Sequence, residues 1–278
     1  CEAYLFADAL GKAETDLLNV VQPALARSLC FLHSVESEFV REHIFSIFKE
    51  NESFKYAWNG YLHYSIFNDQ MLDDGFFDLV VEQWSKLEEL ELDLRERFYQ
   101  LVTIILSFAR LPEWKLEKLA NQSVVTGGGR HAAEFAREAA LILRAPKIKG
   151  AEVWNRWLGK HFARRLEGLP RTPSPEELAY WANVVPYLGE AIPSAVSLLS
   201  GYDIGFQVFF PSDFPLDVLD KYKNELISYY VKRMQNTEMK DLDIASGIFD
   251  LVNYLRQVID KNALNPFLKE IKDKGYHV

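Results

Sequence analysis

Apolar residues recur every three or four positions along most of this chain, and this spacing constrains its fold more than any other feature. That period is typical of amphipathic α-helices, whereas the alternation of apolar and polar residues that marks a half-buried strand is nearly absent. The one strand-like segment, GFQVFF at 205–210, is short enough to be a buried connection. We therefore predict an all-α protein of about a dozen helices in antiparallel succession.

The connections between these helices suggest how they are arranged. Short connections make consecutive helices antiparallel neighbours, which either stack as a solenoid or close into a bundle. No segment repeats its aromatic or glycine positions at a fixed period, so a regular tetratricopeptide or ankyrin array is not expected. An irregular α-solenoid, resembling HEAT-type repeats, fits the pattern best.

Proline and capping residues predict several helix boundaries. The strongest start signal is Ser174, a capping residue followed by Pro175 at the first helical position and by Glu177, which can complete a capping box. Proline also predicts helix starts at 112, 193, 215 and 266, and Gly275 predicts the last stop. Apolar spacing predicts further helices at 4–10, 23–33, 36–49, 54–67, 76–90, 98–109, 131–143 and 152–166.

Composition indicates a globular protein of a reducing compartment. The 278 residues are 49% hydrophobic, which suffices for one large core or two smaller ones. The two cysteines, Cys1 and Cys30, cannot form a disulfide framework, so we expect a cytoplasmic protein. The most apolar run, 98–109, is about half of the roughly 20 residues that span a bilayer, and no signal peptide opens the chain, so no membrane partner is expected. The missing initiating methionine suggests a piece of a longer protein.

Charge is unevenly distributed along the chain. The net charge of −9 disfavours a general nucleic-acid binder. Residues 69–93 hold nine acidic residues against Lys86, whereas 144–171 hold eight basic residues against two glutamates. We therefore predict an acidic N-terminal helical part, 1–121, and a more basic C-terminal part, 131–278. The two parts could also form one continuous solenoid.

The segment 152–181 combines tryptophans, basic residues and prolines. Three of the six tryptophans lie in it, and one helical stripe is formed by Trp154, Trp157, Leu158, Phe162 and Leu166. We predict that this stripe is core. Basic residues fall on another face or extend it around the corner, and they are the candidate partner-binding residues: Arg156, Lys160, Arg164, Arg165 and Arg171. A basic stripe is usually a solvated face, and recognition of an acidic surface or a nucleic-acid backbone is the functional alternative.

A stiff corner is predicted to follow the tryptophan stripe. Gly168, Pro170 and the prolines after it interrupt the helical pattern, and the next helix carries Trp181. We expect Trp181 to pack back on the stripe.

An acidic cluster offers an alternative function. Asp73, Asp74 and Asp78 resemble the aspartate motif with which all-α terpenoid synthases hold magnesium for a diphosphate. The second motif of that family would fall at 242–250, where Ser246 and Asp250 fit but Leu242 replaces a required ligand. The structural alternative is a solvated turn with carboxylates near a helix N-terminus.

Other short motifs indicate no catalytic site. The TGGGR loop at 126–130 lacks the residues of a phosphate-binding loop, and the six histidines form no pair at metal-ligand spacing. Neither cysteine is placed as a nucleophile. We therefore expect no catalytic residues, no metal and no cofactor.

The order of residues around the corner resembles a known bacterial domain. The segment resembles domain of unknown function 4020 in the order of its residues. That order is Trp154, Trp157, an arginine at 164 or 165, Gly168, Pro170, Glu177 and Trp181, followed by a helix at 193–199. This helical domain lies behind sirtuin-like domains in antiphage defence proteins, and the resemblance covers about 144–275. It implies a C-terminal helical module of a larger protein, whose NAD-consuming domain would lie elsewhere.

These observations lead to one hypothesis and two alternatives. The leading hypothesis is a non-catalytic helical module that senses or scaffolds within a bacterial defence protein. Its partner would be a protein, another domain of the parent chain, or a nucleic acid held by the basic residues. The alternatives are a magnesium-dependent enzyme acting on a diphosphate and a protein-interaction repeat module outside defence.

Overall fold

The computed structural model describes residues 15–49, 54–126, 128–206, 216–237, 242–257 and 259–276. Helices make up most of this part of the chain and no strand occurs in it, which confirms the prediction of an all-α protein. The predicted helix at 4–10 and residues 207–210 of the strand-like segment lie outside these ranges. The chain divides into two compact units, Cys1–Gly127 and Gly128–Val278.

The first unit is built around aromatic side chains. Trp58 contacts Tyr61, Phe76 and Phe98 with ring centroids 5.6 to 6.1 Å apart, and all four rings are buried. Two π-helical turns, Val40–Ile44 and Leu72–Phe76, lie between short helices. The helices of this unit are α1 (Thr15–Arg27), α2 (Leu29–Val35), α3 (Ser37–Phe39), α4 (Phe45–Ile47), α5 (Phe54–Leu62), α6 (Asp69–Met71), α7 (Phe77–Gln83), α8 (Leu92–Phe108) and α9 (Glu113–Val125).

Helices α1 and α5 approach each other at backbone distance. A Cβ atom on Gly60 would lie 2.2 Å from the carbonyl oxygen of Pro23, so only glycine fits at this crossing. The absence of a side chain at residue 60 therefore lets the two helices pack directly.

The second unit carries the tryptophan-rich segment. The π-helical turn Trp154–Leu158 joins α11 to α12, and α10 packs against α13 while α16 packs against α18. The helices of this unit are α10 (Gly128–Leu143), α11 (Gly150–Val153), α12 (Gly159–Leu166), α13 (Pro175–Ala182), α14 (Ile192–Leu199), α15 (Leu216–Lys221), α16 (Lys223–Gln235), α17 (Leu242–Leu255) and α18 (Lys261–Asp273).

Some predicted helix boundaries are wrong, chiefly at prolines. Helix α1 begins at Thr15 and contains Pro23, although residue 23 was the predicted start. Helix α18 likewise contains Pro266, because Asp260 caps an earlier start and accepts hydrogen bonds from the backbone N–H groups of residues 262 and 263 at 3.0 Å. The segment between the two predicted parts, 121–130, is largely helical, since α9 reaches Val125 and α10 begins at Gly128. Packing and capping thus outweigh the preference of proline for the first turn.

The ends of other helices agree with local signals. Gly275 has a φ of +90°, and α18 ends just before it.

No helix within the described ranges has the length and apolar character needed to cross a membrane.

Candidate functional site

The tryptophan helix is the continuous helix formed by α11, the π-helical turn Trp154–Leu158 and α12. Its buried residues repeat every four positions, whereas a regular α-helix rotates by about 40° over each four-residue step. The π-helical turn contains one extra residue, which offsets about 100° of the rotation that accumulates over successive four-residue steps. This keeps two columns of side chains buried over the whole helix: Val153, Trp157, His161 and Arg165, and Trp154, Leu158, Phe162 and Leu166.

The three tryptophans lie in the core of the second unit. Trp154 and Trp157 are 7% and 3% exposed, and Trp181 from α13 is 1% exposed. The rings of Trp157 and Trp181 meet edge to face with centroids 6.1 Å apart. Phe135 of α10 contacts the other side of Trp181 at 5.7 Å. Aromatic packing therefore ties the tryptophan helix to α13 and α10.

Arg165 is buried rather than exposed, which corrects its predicted place among the accessible basic residues. It occupies a buried column of the tryptophan helix, and its Nε and Nη2 donate to the two carboxylate oxygens of Glu177 at 2.6 and 3.0 Å. Its Nη1 donates to the carbonyl oxygens of Leu169 and Arg171 at 2.5 and 2.7 Å. Both charged side chains are 1% exposed. This forked pair cannot contact a partner protein directly.

The predicted cap on α13 is confirmed only in part. Ser174 accepts a hydrogen bond from the backbone N–H of Glu177 at 3.1 Å, as the capping signature predicted. The carboxylate of Glu177, however, binds Arg165. A long-range ion pair has therefore replaced the second half of the capping box.

The corner between the tryptophan helix and α13 is fixed by its backbone. Gly168 has a φ of +81°, a conformation that favours glycine, and its N–H donates to the carbonyl oxygen of Arg165 at 3.0 Å. Pro170 is exposed and lies between the two carbonyl groups that bind the Arg165 guanidinium. The corner is thus held by a side chain that comes from inside the core.

The basic face is the column of Arg156, Lys160 and Arg164 on the tryptophan helix. These residues share the four-residue period of the buried columns, so the π-helical turn keeps them aligned as well. Lys160 is exposed, whereas Arg156 and Arg164 are half-buried. Arg171 is exposed beyond the corner. The structure therefore places three of the five predicted basic residues in one column.

His161 lies between two tryptophans of this core. Its ring centroid is 5.9 Å from that of Trp157 and 5.4 Å from that of Trp181. Burial, and secondarily the positive charge of Arg165, lowers the pKa of His161 to about 3. The imidazole is therefore neutral at physiological pH, and its buried Nδ1 makes no hydrogen bond.

The acidic cluster of the first unit does not converge on one point. Its carboxylates each meet a different side chain: Asp73 meets Lys115 at 3.1 Å, Asp74 meets His33 at 3.0 Å and Asp78 meets Lys118 at 3.8 Å. No group of three or more His, Cys, Asp or Glu side chains suited to a metal ion occurs among the described residues. Asp250 is an exposed residue of the other unit.

Arg233 of α16 is a second buried arginine, and its burial was not predicted from the sequence. It is 2% exposed and lies 4.3 Å above the ring of Phe206. Arg233 occupies the same helix face as the buried residues Leu226, Tyr230 and Met234. An arginine at an apolar position of the helical period is the signal that could have identified it, and the same signal marks Arg165.

Comparisons with known proteins return no relative of this chain. No family model matches it, and neither the curated proteins nor the solved structures contain a match.

Proposed function

We propose that this chain is a non-catalytic helical binding module, an irregular HEAT-like array that senses or scaffolds, and that its basic face engages an acidic protein surface. The observation that carries the proposal is the alignment of Arg156, Lys160 and Arg164 along a helix whose buried columns carry Trp154 and Trp157. A column of cations on a rigid helix suits recognition of a row of carboxylates.

Rigidity of the corner supports a binding role. Association costs free energy for every segment that must be ordered, and a preorganised surface avoids much of that cost. The Arg165–Glu177 pair and the aromatic contacts of Trp181 already fix the helix that carries the basic face. A partner would therefore bind a helix whose backbone position is already fixed.

Charge favours a protein partner over nucleic acid. Nucleic acid is a long polyanion that would extend beyond the basic column and meet the net charge of −9, whereas a short row of carboxylates on a protein can bind the column alone. The resemblance to domain of unknown function 4020 suggests that this partner is another domain of a larger defence protein or the trigger that it senses.

The proposal is tested with two fluorescent probes, a glutamate-rich peptide and a DNA duplex. We expect the peptide to bind, to lose affinity as salt is raised, and to bind the Arg156→Glu/Lys160→Glu/Arg164→Glu variant at least about tenfold more weakly. Fluorescence anisotropy measures each affinity. The matched control reverses three exposed lysines of α18, Lys261, Lys269 and Lys272, and should bind the peptide as tightly as the wild type.

Two outcomes would overturn the proposal. Equal losses in the two triple variants would show that net charge, and not the basic face, governs binding. Tighter binding of the duplex than of the peptide, lost in the same basic-face variant, would identify the partner as nucleic acid.

A further inference from the structure

The two buried arginines of the second unit differ in how their charge is compensated. Arg165 has a carboxylate on its Nε and Nη2 edge, supplied by Glu177. Arg233 is equally buried, but its partners are neutral: Asn183 Oδ1 at 2.7 Å, the Tyr229 hydroxyl at 3.2 Å and the Gly205 carbonyl oxygen at 2.8 Å. Within the described part of the chain, no Asp or Glu oxygen lies within the 4.0 Å that defines an ion pair with Arg233.

The hydrogen-bonding capacity of Arg233 is also incomplete. A guanidinium has five N–H groups, and the bonds to Asn183, Tyr229 and Gly205 use three of them. Its Nε is buried and has no hydrogen-bond partner. In Arg165 the corresponding Nε–H binds a carboxylate oxygen. The Nε–H of Arg233 therefore lacks a partner, whereas the Nε–H of Arg165 binds the carboxylate of Glu177.

Burial makes this arrangement costly. A cation removed from water without a compensating anion is destabilising, and stacking on aromatic rings offsets only part of that cost. The guanidinium carbon of Arg233 lies 4.3 Å from the centroid of Phe206 and 5.6 Å from that of Tyr229. The rings accommodate the faces of the guanidinium but leave the Nε–H without an acceptor.

A small cavity lies beside Arg233. Its volume is about 60 Å³, and Lys232 and Arg233 form part of its wall. Leu199 and Ile204 supply apolar surface, and no Asp or Glu occurs among the described residues that line the cavity. Lys232 donates to the carbonyl oxygen of Ser200 and so adds a second positive charge at the wall. The space suits a few heavy atoms that carry a negative charge at one end and a short apolar body at the other.

We propose that this cavity binds a small free carboxylate, such as a short-chain monocarboxylic acid. Because the Nε of Arg233 is covered by surrounding atoms, binding requires the guanidinium to turn its Nε–H and Nη2 edge towards the cavity. The carboxylate oxygens then accept hydrogen bonds from that edge, and the aliphatic part lies against Leu199 and Ile204. The site is separate from the basic face, and it stands whether or not that face binds an acidic protein.

The test uses the whole wild-type chain and observes the arginine Nε–H groups by ¹⁵N–¹H NMR. We expect acetate, propionate and butyrate, added as sodium salts, to shift the Arg233 signal in a saturable way and to leave the Arg165 signal unchanged. Sodium chloride at equal ionic strength should shift neither signal. An Arg233 signal that does not move with any carboxylate, or that moves equally with chloride or inorganic phosphate, would overturn the proposal.

Thermal unfolding provides a second readout. We expect a saturating carboxylate to raise the Tm of the wild type by about 2–4 °C, because a ligand that binds only the folded state stabilises it. Arg233→Lys, which keeps the charge but loses the forked edge, should lose this rise. The same substitution at exposed Arg256 is the matched control and should retain it. A rise that persists in folded Arg233→Lys would contradict the assignment, and if that variant does not fold, the wild-type NMR titration decides.

Discussion

At the scale of single residues, the second unit depends on polar side chains placed where helical periodicity expects apolar ones. Arg165 and Glu177 are among the most buried residues of the unit, and together they connect the tryptophan helix, the corner and α13. Breaking a buried pair from one side leaves a charge without a partner, which is more destabilising than removing both charges.

The Arg165–Glu177 pair is tested by a double-mutant cycle. We expect Glu177→Leu to lower the free energy of unfolding by about 3–5 kcal/mol, because the guanidinium of Arg165 loses the carboxylate that binds it. Adding Arg165→Met should recover part of that loss. Urea unfolding of the two single variants and the double variant measures the coupling. Strictly additive losses would show that the pair does not act as a unit.

His161 should make stability depend on pH. Its folded-state pKa is about 3, below the ordinary value of 6.5, so between these values the unfolded chain binds more protons than the folded chain. The contribution of neutral, buried His161 to the free energy of unfolding is therefore fully present above pH 6.5, and it is lost as pH falls towards 3. The expected slope approaches about 1.4 kcal/mol per pH unit.

The measurement compares wild type with His161→Phe by urea unfolding at several values between pH 5 and 6.5, a window above the ordinary pKa of carboxyl groups. The free energy of unfolding of the variant should fall less steeply with decreasing pH. Parallel curves for the two proteins would mean that His161 gains a proton in the folded state.

At the scale of helices, the π-helical turn Trp154–Leu158 is what keeps the tryptophans buried. We expect Trp157→Ala to lower the free energy of unfolding by about 3–5 kcal/mol, because the substitution removes a buried ring and leaves a cavity beside Trp181. Trp114→Ala is the control, since Trp114 is 61% exposed and its loss should cost about 0.5 kcal/mol. Similar losses in the two variants would contradict the proposed core.

Helix boundaries show which parts of the fold were predictable from sequence. The start of α13 depends on a local interaction between Ser174 and the backbone three residues later, and the sequence predicted it correctly. The starts of α1 and α18 were missed because Pro23 and Pro266 are accommodated inside helices. The direct packing of Gly60 on Pro23 shows that tertiary contacts decide at such positions.

The candidate site was predictable to a similar degree. A four-residue spacing was enough to identify both the tryptophan stripe and the basic column. It could not reveal that Arg165 turns inward, because its partner Glu177 is twelve residues away across a corner. Arg233 depends on groups up to 50 residues away, at Asn183 and Gly205, so its environment required the folded structure.

At the scale of the whole molecule, the fold and the proposed recognition use different columns of one helix. The buried columns of the tryptophan helix stabilise the second unit, whereas the proposed partner contacts come from side chains outside those columns. Because the two sets do not overlap, substitutions can change binding and stability separately. Both the free energy of unfolding and the binding affinity can be measured on the same purified variants.

Charge reversal of the basic face tests whether binding and stability can be changed separately. The variant is measured by both urea unfolding and peptide binding. The Arg156→Glu/Lys160→Glu/Arg164→Glu variant should keep its free energy of unfolding within about 1.5 kcal/mol of the wild type, since Lys160 is exposed, Arg156 and Arg164 are half-buried, and a change outside the core costs about 0.5 kcal/mol. Its affinity for the glutamate-rich peptide should fall at least about tenfold. A folded variant that binds the peptide as tightly as the wild type would show that the basic face does not contact the peptide.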